Sequence, residues 1–216
     1  MSDQPNPSTI GIIGSGNIGS AFAGALARAG IGAIISNSRR PESLAPLLAE
    51  IGGTVRAGTR EDAATQDIVL VAVPWSKLPA ALAGLPEFGG RIVIDANNAV
   101  DVVVDPNNPT GAPQFVNADL QGRTSSEIVA SLAPGARVVK AFNHLPAPLV
   151  AGDPHSEGGR RVLFYAGDDA PAKTQVGALI ERLGFFGIDL GSLSVGGGLF
   201  QFPGGPLPLH NLANFS

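Results

Sequence analysis

The chain has no cysteine among its 216 residues, which excludes disulfides, thiolate nucleophiles, iron–sulfur ligation and cysteine-based zinc sites. Tryptophan, tyrosine and methionine occur once each. The histidines, His144, His155 and His210, lie far apart in sequence with no pair at i, i+4, so no metal site is expected. Charge is also scarce. Asp, Glu, Lys and Arg make up 15% of the residues, and a net charge of −4 with a pI near 5.3 offers no basic surface for nucleic acid. No apolar run reaches the roughly 18 residues that a membrane span needs. The segment Met1–Ser8 is polar, with two prolines and neither a basic nor an apolar stretch, and reads as a flexible N-terminus rather than a signal peptide. The expectation is a soluble cytoplasmic protein that contacts neither membrane nor nucleic acid.

Glycine, by contrast, is abundant, with 29 residues, and three of them carry a pattern. The run Thr9-Ile-Gly-Ile-Ile-Gly-Ser-Gly-Asn-Ile-Gly-Ser20 begins as a β-branched strand suited to burial on both faces. It then turns through Gly14, Gly16 and Gly19, a G-x-G-x-x-G spacing. In that fingerprint the first glycine makes a tight turn, the second admits a pyrophosphate to the backbone, and the third lets helix and strand pack closely. Ile18, Ala21, Phe22, Ala25 and Leu26 then form one apolar helix face. The spacing alone is weak in a glycine-rich chain. Its place between a strand and an amphipathic helix makes the dinucleotide reading specific, because that helix aims unpaired N–H groups at the turn.

Ala33–Ser36 reads as the second strand, followed by Asn37-Ser-Arg-Arg40. An NAD-binding unit places a carboxylate here for the ribose 2′-OH, whereas NADP needs cations for its 2′-phosphate. No carboxylate occurs before Glu42. Ser38 offers a hydroxyl and Arg39 a planar multi-donor fork, while Arg40 precedes Pro41, a residue suited to the first turn of a helix. NADP is the expected cofactor.

Six further strands are expected: Thr54–Ala57, Asp67–Val73, Arg91–Asn97, Ala136–Phe142, Arg161–Ala166 and Phe185–Leu190. Leu44, Leu47, Leu48 and Ile51 mark a helix that stops at Gly52-Gly53, and Ser76 is placed to cap another. Thr124-Ser-Ser-Glu127 is a capping box that opens a third, and a further helix is expected from about Pro171 to Leu183. Asp101–Gly122 reads as a long loop over the crevice. The whole is an α/β, Rossmann-like, doubly wound and mostly parallel sheet of about eight strands with helices on both faces. Residues 9–190 form the NADP-binding domain. The Gly/Pro-rich tail, 191–216, folds on that domain or on a partner subunit.

The segments Gly14-Ser-Gly-Asn-Ile-Gly19, Asn37-Ser-Arg-Arg40, Val73-Pro-Trp75, Val138-Val-Lys-Ala-Phe-Asn143 and Asp189-Leu-Gly-Ser-Leu193 resemble, in order, the NADPH-dependent F420 reductase or coenzyme F420-dependent NADP oxidoreductase family. The resemblance implies hydride transfer between NADP and a deazaflavin, coenzyme F420, as co-substrate. Ser15, Asn17 and Ile18 would hold the pyrophosphate, and Ser38 and Arg39 the 2′-phosphate. Val73, Pro74 and Trp75 would line the path from adenosine to nicotinamide, with Ala141 in the same cofactor set. The best-known deazaflavin members carry a helical C-terminal extension where this chain has its Gly/Pro-rich tail, which leaves the acceptor open.

Hydride transfer asks a protein chiefly to position two rings and exclude water. Trp75, Asn97, Asn143 and Leu145 are expected at the site edge, with the tail as a lid. His144 is the candidate proton donor, being the one histidine that the strand reading puts at the crevice. Alternatives to a deazaflavin or flavin-like acceptor are an imine, a carbonyl compound or a metal complex, or a non-enzymatic NADP-binding redox sensor. A homodimer is the expected assembly.

Overall fold

The computed structural model describes residues 8–103, 114–156 and 158–216. Strand β1 (Ile10–Ile13) leads to α1 (Asn17–Arg28), β2 (Ala33–Ser36), α2 (Ala45–Ile51), β3 (Val55–Ala57), α3 (Arg60–Ala64), β4 (Ile68–Val71), α4 (Leu78–Leu82) and β5 (Ile92–Asp95). There follow β6 (Val100–Val103), β7 (Gln114–Asn117), α5 (Ser125–Leu132), β8 (Arg137–Ala141), α6 (Ala147–Ala151), β9 (His155–Ser156) and β10 (Gly159–Gly167). Finally come α7 (Ala170–Arg182), β11 (Phe186–Asp189), α8 (Gly196–Leu199) and β12 (Ala213–Asn214).

The main sheet runs β11-β10-β8-β5-β4-β1-β2-β3. β3, β2, β1, β4, β5 and β8 are mutually parallel; β10 runs antiparallel to β8, and β11 follows β10 in parallel. These eight strands are the eight expected from the sequence. β9 and β12 are two-residue strands that pair with β10 outside this path.

Strand residues alternate between two cores. Ile68 and Leu70 of β4 face the cluster that holds Phe22 and Leu26 of α1 with Val176 and Ile180 of α7. Val69 and Val71 face the opposite cluster with Ala63, Leu78, Leu82 and Val129. Helices on both faces explain why the parallel strands are continuous apolar runs rather than alternating ones. Burying a side chain such as Phe22 or Leu26 is worth about 1.5–3 kcal/mol, so α1 is fixed to β1 by packing more than by its own propensity.

Two expectations are corrected. Within Asp101–Gly122, read as a loop, the structure contains an antiparallel pair, β6 with β7; residues 104–113 lie outside the described residues. Every β7 side chain is exposed, so no burial pattern marked it. Ser76 does not cap a helix: a 3-10 turn, Trp75–Lys77, leads into α4 from Pro74, and the Ser76 N–H donates to Asp101 Oδ1 at 3.1 Å. Residues 1–7 of the expected flexible N-terminus are not described. Tail residues pack on β10, where Phe200 is fully buried beside Val162, Phe164 and Ala166 and β12 pairs with Arg160 and Arg161. Among the described residues no helix is long and apolar enough to cross a membrane.

Candidate cofactor-binding site

Parallel strands β1, β2, β4, β5 and β8 all end at one edge, and the loops they deliver there build the site. The glycine turn is shaped by contact. Gly14 has φ 110°, and a Cβ there would stand 2.1 Å from the Ala72 carbonyl oxygen. A Cβ on Gly19 would stand 1.9 Å from the Gly14 carbonyl oxygen. At Gly16 a Cβ would meet nothing within 4 Å. Gly14 and Gly19 are thus required by the protein itself, whereas the space beside Gly16 is open. α1 begins there with no side-chain cap and no acidic residue in its first turn, so its N–H groups and positive dipole end remain available to an anion. This is the geometry that a dinucleotide pyrophosphate fits.

β2 braces the turn: Gly14 N–H donates to Ser36 O at 3.0 Å, and Ser36 Oγ donates to Ile12 O at 3.0 Å. The loop beyond is preformed. Asn37 accepts the Arg39 N–H at 2.9 Å and donates to Ser43 Oγ at 3.0 Å. Ser38, Arg39 and Arg40 are exposed, and among the described residues neither arginine side chain has an ion pair.

A cleft of about 810 Å³ joins these parts, lined by Gly14, Ser15, Gly16, Asn37, Ser38, Arg39 and Arg40 on one side and Val73 and Pro74 on the other. Its size suits a nucleotide. Ile13, Pro41, Ala72, Thr59, Arg60, Glu61, Lys77, Ala80 and Ala81 complete the lining, and none of them was among the site residues expected from the sequence. One signal was readable: Thr59-Arg-Glu-Asp62 is a capping box at the start of α3. The Arg60 guanidinium is anchored to Glu61 at 2.8 Å and to the Ala80 carbonyl at 2.9 Å. With Arg39, Arg40 and Lys77 it gives the cleft four cations against the single carboxylate of Glu61, an anion-accepting site in a chain of net negative charge.

Other expected site residues stand at the same edge but do not line this cleft. Asn17 is exposed on the first turn of α1, Ile18 packs on the core, and Gly19 is buried under Gly14. Trp75 is half-buried against the core cluster of α4 and α5. Ala141 is fully buried. Asn97 is 2% exposed, and its Oδ1 accepts the Val73 N–H at 2.9 Å. Asn143 Nδ2 donates to Asn98 Oδ1 at 3.1 Å and to Phe200 O at 2.8 Å. It follows Phe142, a bulky residue at φ 64°, a strained backbone of the kind that collects at functional sites.

His144 is corrected more sharply. It is 1% exposed, not on the crevice, and its ring lies 4.8 Å from Phe164 and 5.9 Å from Phe200, centroid to centroid. Among the described residues neither ring nitrogen makes a hydrogen bond of good geometry. Burial pushes its pKa down to about 4, with the Val162 backbone opposing. A neutral, enclosed imidazole of this kind is a core residue. Leu145, beside it, is likewise buried.

Residues 9–99 match the family described as coenzyme F420-dependent NADP oxidoreductase. A protein from Arthrobacter sp. FB24 proposed to be an F420-dependent NADP reductase is 31% identical, with 86% of each chain covered and a TM-score of 0.67. The chain belongs to this family. A hypothetical protein from Sinorhizobium meliloti, also of known structure, is 44% identical over 96% of each chain, with a TM-score of 0.86. The metalloreductase STEAP3 of Rattus norvegicus is 30% identical across 86% of this chain and 34% of its own length. The chain therefore spans about a third of the length of the curated relatives it matches. The nucleotide that the description of this family names, NADP(H), suits a cleft with four cations beside an open glycine turn.

Proposed function

We propose that the protein binds NADPH in the cleft and passes its hydride to a deazaflavin, coenzyme F420, or a flavin-like ring. The observation that carries this reading is the juxtaposition in one cleft of the open glycine turn at an uncapped helix end with the preformed Ser38–Arg39 loop. The nicotinamide supplies the hydride. The chain's own residues bind, orient and exclude water: α1 and Ser15 hold the pyrophosphate, Ser38 and Arg39 the 2′-phosphate, and Val73 and Pro74 border the path toward the nicotinamide. With His144 in the core, the acceptor's proton comes from solvent or from the acceptor's own surroundings.

A specific observation favours a second acceptor class. STEAP3 is named a metalloreductase, so a metal complex belongs beside imines and carbonyl compounds in any acceptor panel. The exposed tail side chains Leu209, Leu212 and Phe215 support a homodimer, which light scattering would test; a monomeric mass removes it.

Calorimetry tests the cofactor reading. Arg39→Ala should weaken NADPH about 10- to 100-fold, the worth of a charge-assisted contact, and leave NADH unchanged. A wild-type protein that ignores NADPH, or an equal loss for both nucleotides, overturns it. NADPH consumption with coenzyme F420, flavins, ferric complexes and imines then identifies the acceptor.

A further inference from the structure

Asp95 and Lys140 are register partners on β5 and β8, and their side chains are fully buried. Lys140 Nζ lies 3.3 Å from Asp95 Oδ2 and donates to Ser125 Oγ at 2.9 Å and to the Asn97 carbonyl at 3.2 Å. Ser126 Oγ donates to Asp95 Oδ2 at 2.6 Å. An ion pair taken wholly out of water is a weak means of stabilising a core, because desolvation offsets the attraction. Its place in this fold points to another use.

The network ends at the cleft. Asp95 Oδ1 accepts both the backbone N–H and the side-chain Nδ2 of Asn97, at 2.9 and 2.8 Å. Lys140 holds the Asn97 carbonyl. One polar atom of Asn97 remains, Oδ1, and it takes the Val73 N–H at 2.9 Å. Val73 and Pro74 line the cleft, and Val73 Cγ1 would lie 3.0 Å from a Cβ on Gly14. The two lips of the cleft therefore stand side by side. The Ala72 N–H also donates to the Ile13 carbonyl at 2.9 Å, tying the residue before Val73 to the residue before Gly14.

We infer that Lys140 and Asp95 are positioning residues for the nucleotide site: the buried pair fixes Asn97 in one orientation, and Asn97 sets where the Val73–Pro74 lip stands against the glycine turn. This rests on the NADPH reading for its consequence but not for its geometry.

The test uses the full chain. Single substitutions strand one buried charge and can unfold the protein, so the pair is replaced together as Asp95→Val/Lys140→Met. A close-packed apolar pair can keep the fold, while Asn97 loses both anchors. We expect an unfolding midpoint near wild type, a Val73 amide that exchanges about tenfold faster in the cofactor-free protein, and NADPH binding weakened about five- to tenfold, the worth of one hydrogen bond. Asn97→Ala leaves the ion pair in place and should give the same two losses, with no further loss when combined with the double variant. Wild-type Val73 protection and wild-type NADPH affinity in either variant overturn the inference. Additive losses do so as well. If the wild-type protein fails to bind NADPH, the cofactor reading fails, and the Val73 amide alone still decides the network.

Discussion

Gly16 and Gly19 show how far one motif divides between fold and ligand. A Cβ at Gly19 collides with a backbone oxygen, which cannot move without displacing β1 or α1. Gly19→Ala should therefore destabilise by about 1–3 kcal/mol, as overpacking does, with binding lost as a consequence. Gly16 lies at φ −75° with open space beside it, so Gly16→Ala costs no more than about 1 kcal/mol, as an exchange of N-cap residues. Its NADPH affinity should nevertheless fall, because the methyl would occupy the room proposed for phosphate. Urea unfolding and calorimetry on both variants check the contrast; equal stability losses would refute it. These roles were legible because a glycine's task follows from its place in the turn. The directions of Trp75, Asn97, Asn143 and His144 were not. Strand periodicity put all four at the right edge of the sheet, but whether a side chain at a strand end faces the cleft or the core depends on its neighbours. For His144 those neighbours include Phe200, 56 residues further along the chain.

At the level of elements, the eight strands of the main sheet were readable because most are short apolar runs, rich in β-branched residues in β1, β2, β4 and β5, between glycine, proline or polar breaks. The elements that escaped notice are short. α3 has five residues and little apolar periodicity, yet it supplies Thr59, Arg60 and Glu61 to the cleft. Its stability comes from the reciprocal cap: Thr59 Oγ1 accepts the Asp62 N–H at 3.0 Å, and Asp62 Oδ2 accepts the Thr59 N–H at 2.9 Å. Those bonds hold the Asp62 carboxyl below its usual pKa. Thr59→Ala should cost about 1 kcal/mol of stability and loosen the cleft wall, because Arg60 ties α3 to the α4 carbonyls of Ala80 and Ala81. A modest rise in the NADPH dissociation constant should accompany the lost stability. An unchanged unfolding midpoint would show that the cap contributes nothing.

At the scale of the whole molecule, the tail closes the sheet over an ionisable group. Phe200 packs on Phe164 and His144, the His144 carbonyl accepts the Leu209 N–H at 2.8 Å, and the imidazole, with its pKa near 4, stays neutral in the folded protein at neutral pH. Unfolding returns it to the ordinary value near 6.5. Between these values the unfolded chain holds a proton that the folded chain refuses, so stability is fully present above about pH 6.5 and falls as pH drops toward 4. From about pH 7 to pH 5 this loss amounts to about 2 kcal/mol at 1.36 kcal/mol per pKa unit. The carboxylates held below their usual range, Glu61, Asp62, Asp153 and Glu181, lose their contribution only below that interval, which isolates the histidine. His144→Phe keeps an aromatic ring between Phe164 and Phe200 but cannot titrate, so its urea midpoint should be nearly flat over the same range. Phe200→Ala, by letting water reach the ring, should flatten the profile partway. If His144→Phe keeps the wild-type slope, the tail does not seal a titrating core; if hydride transfer in that variant loses a pH dependence that its stability never had, the histidine acts in the chemistry after all.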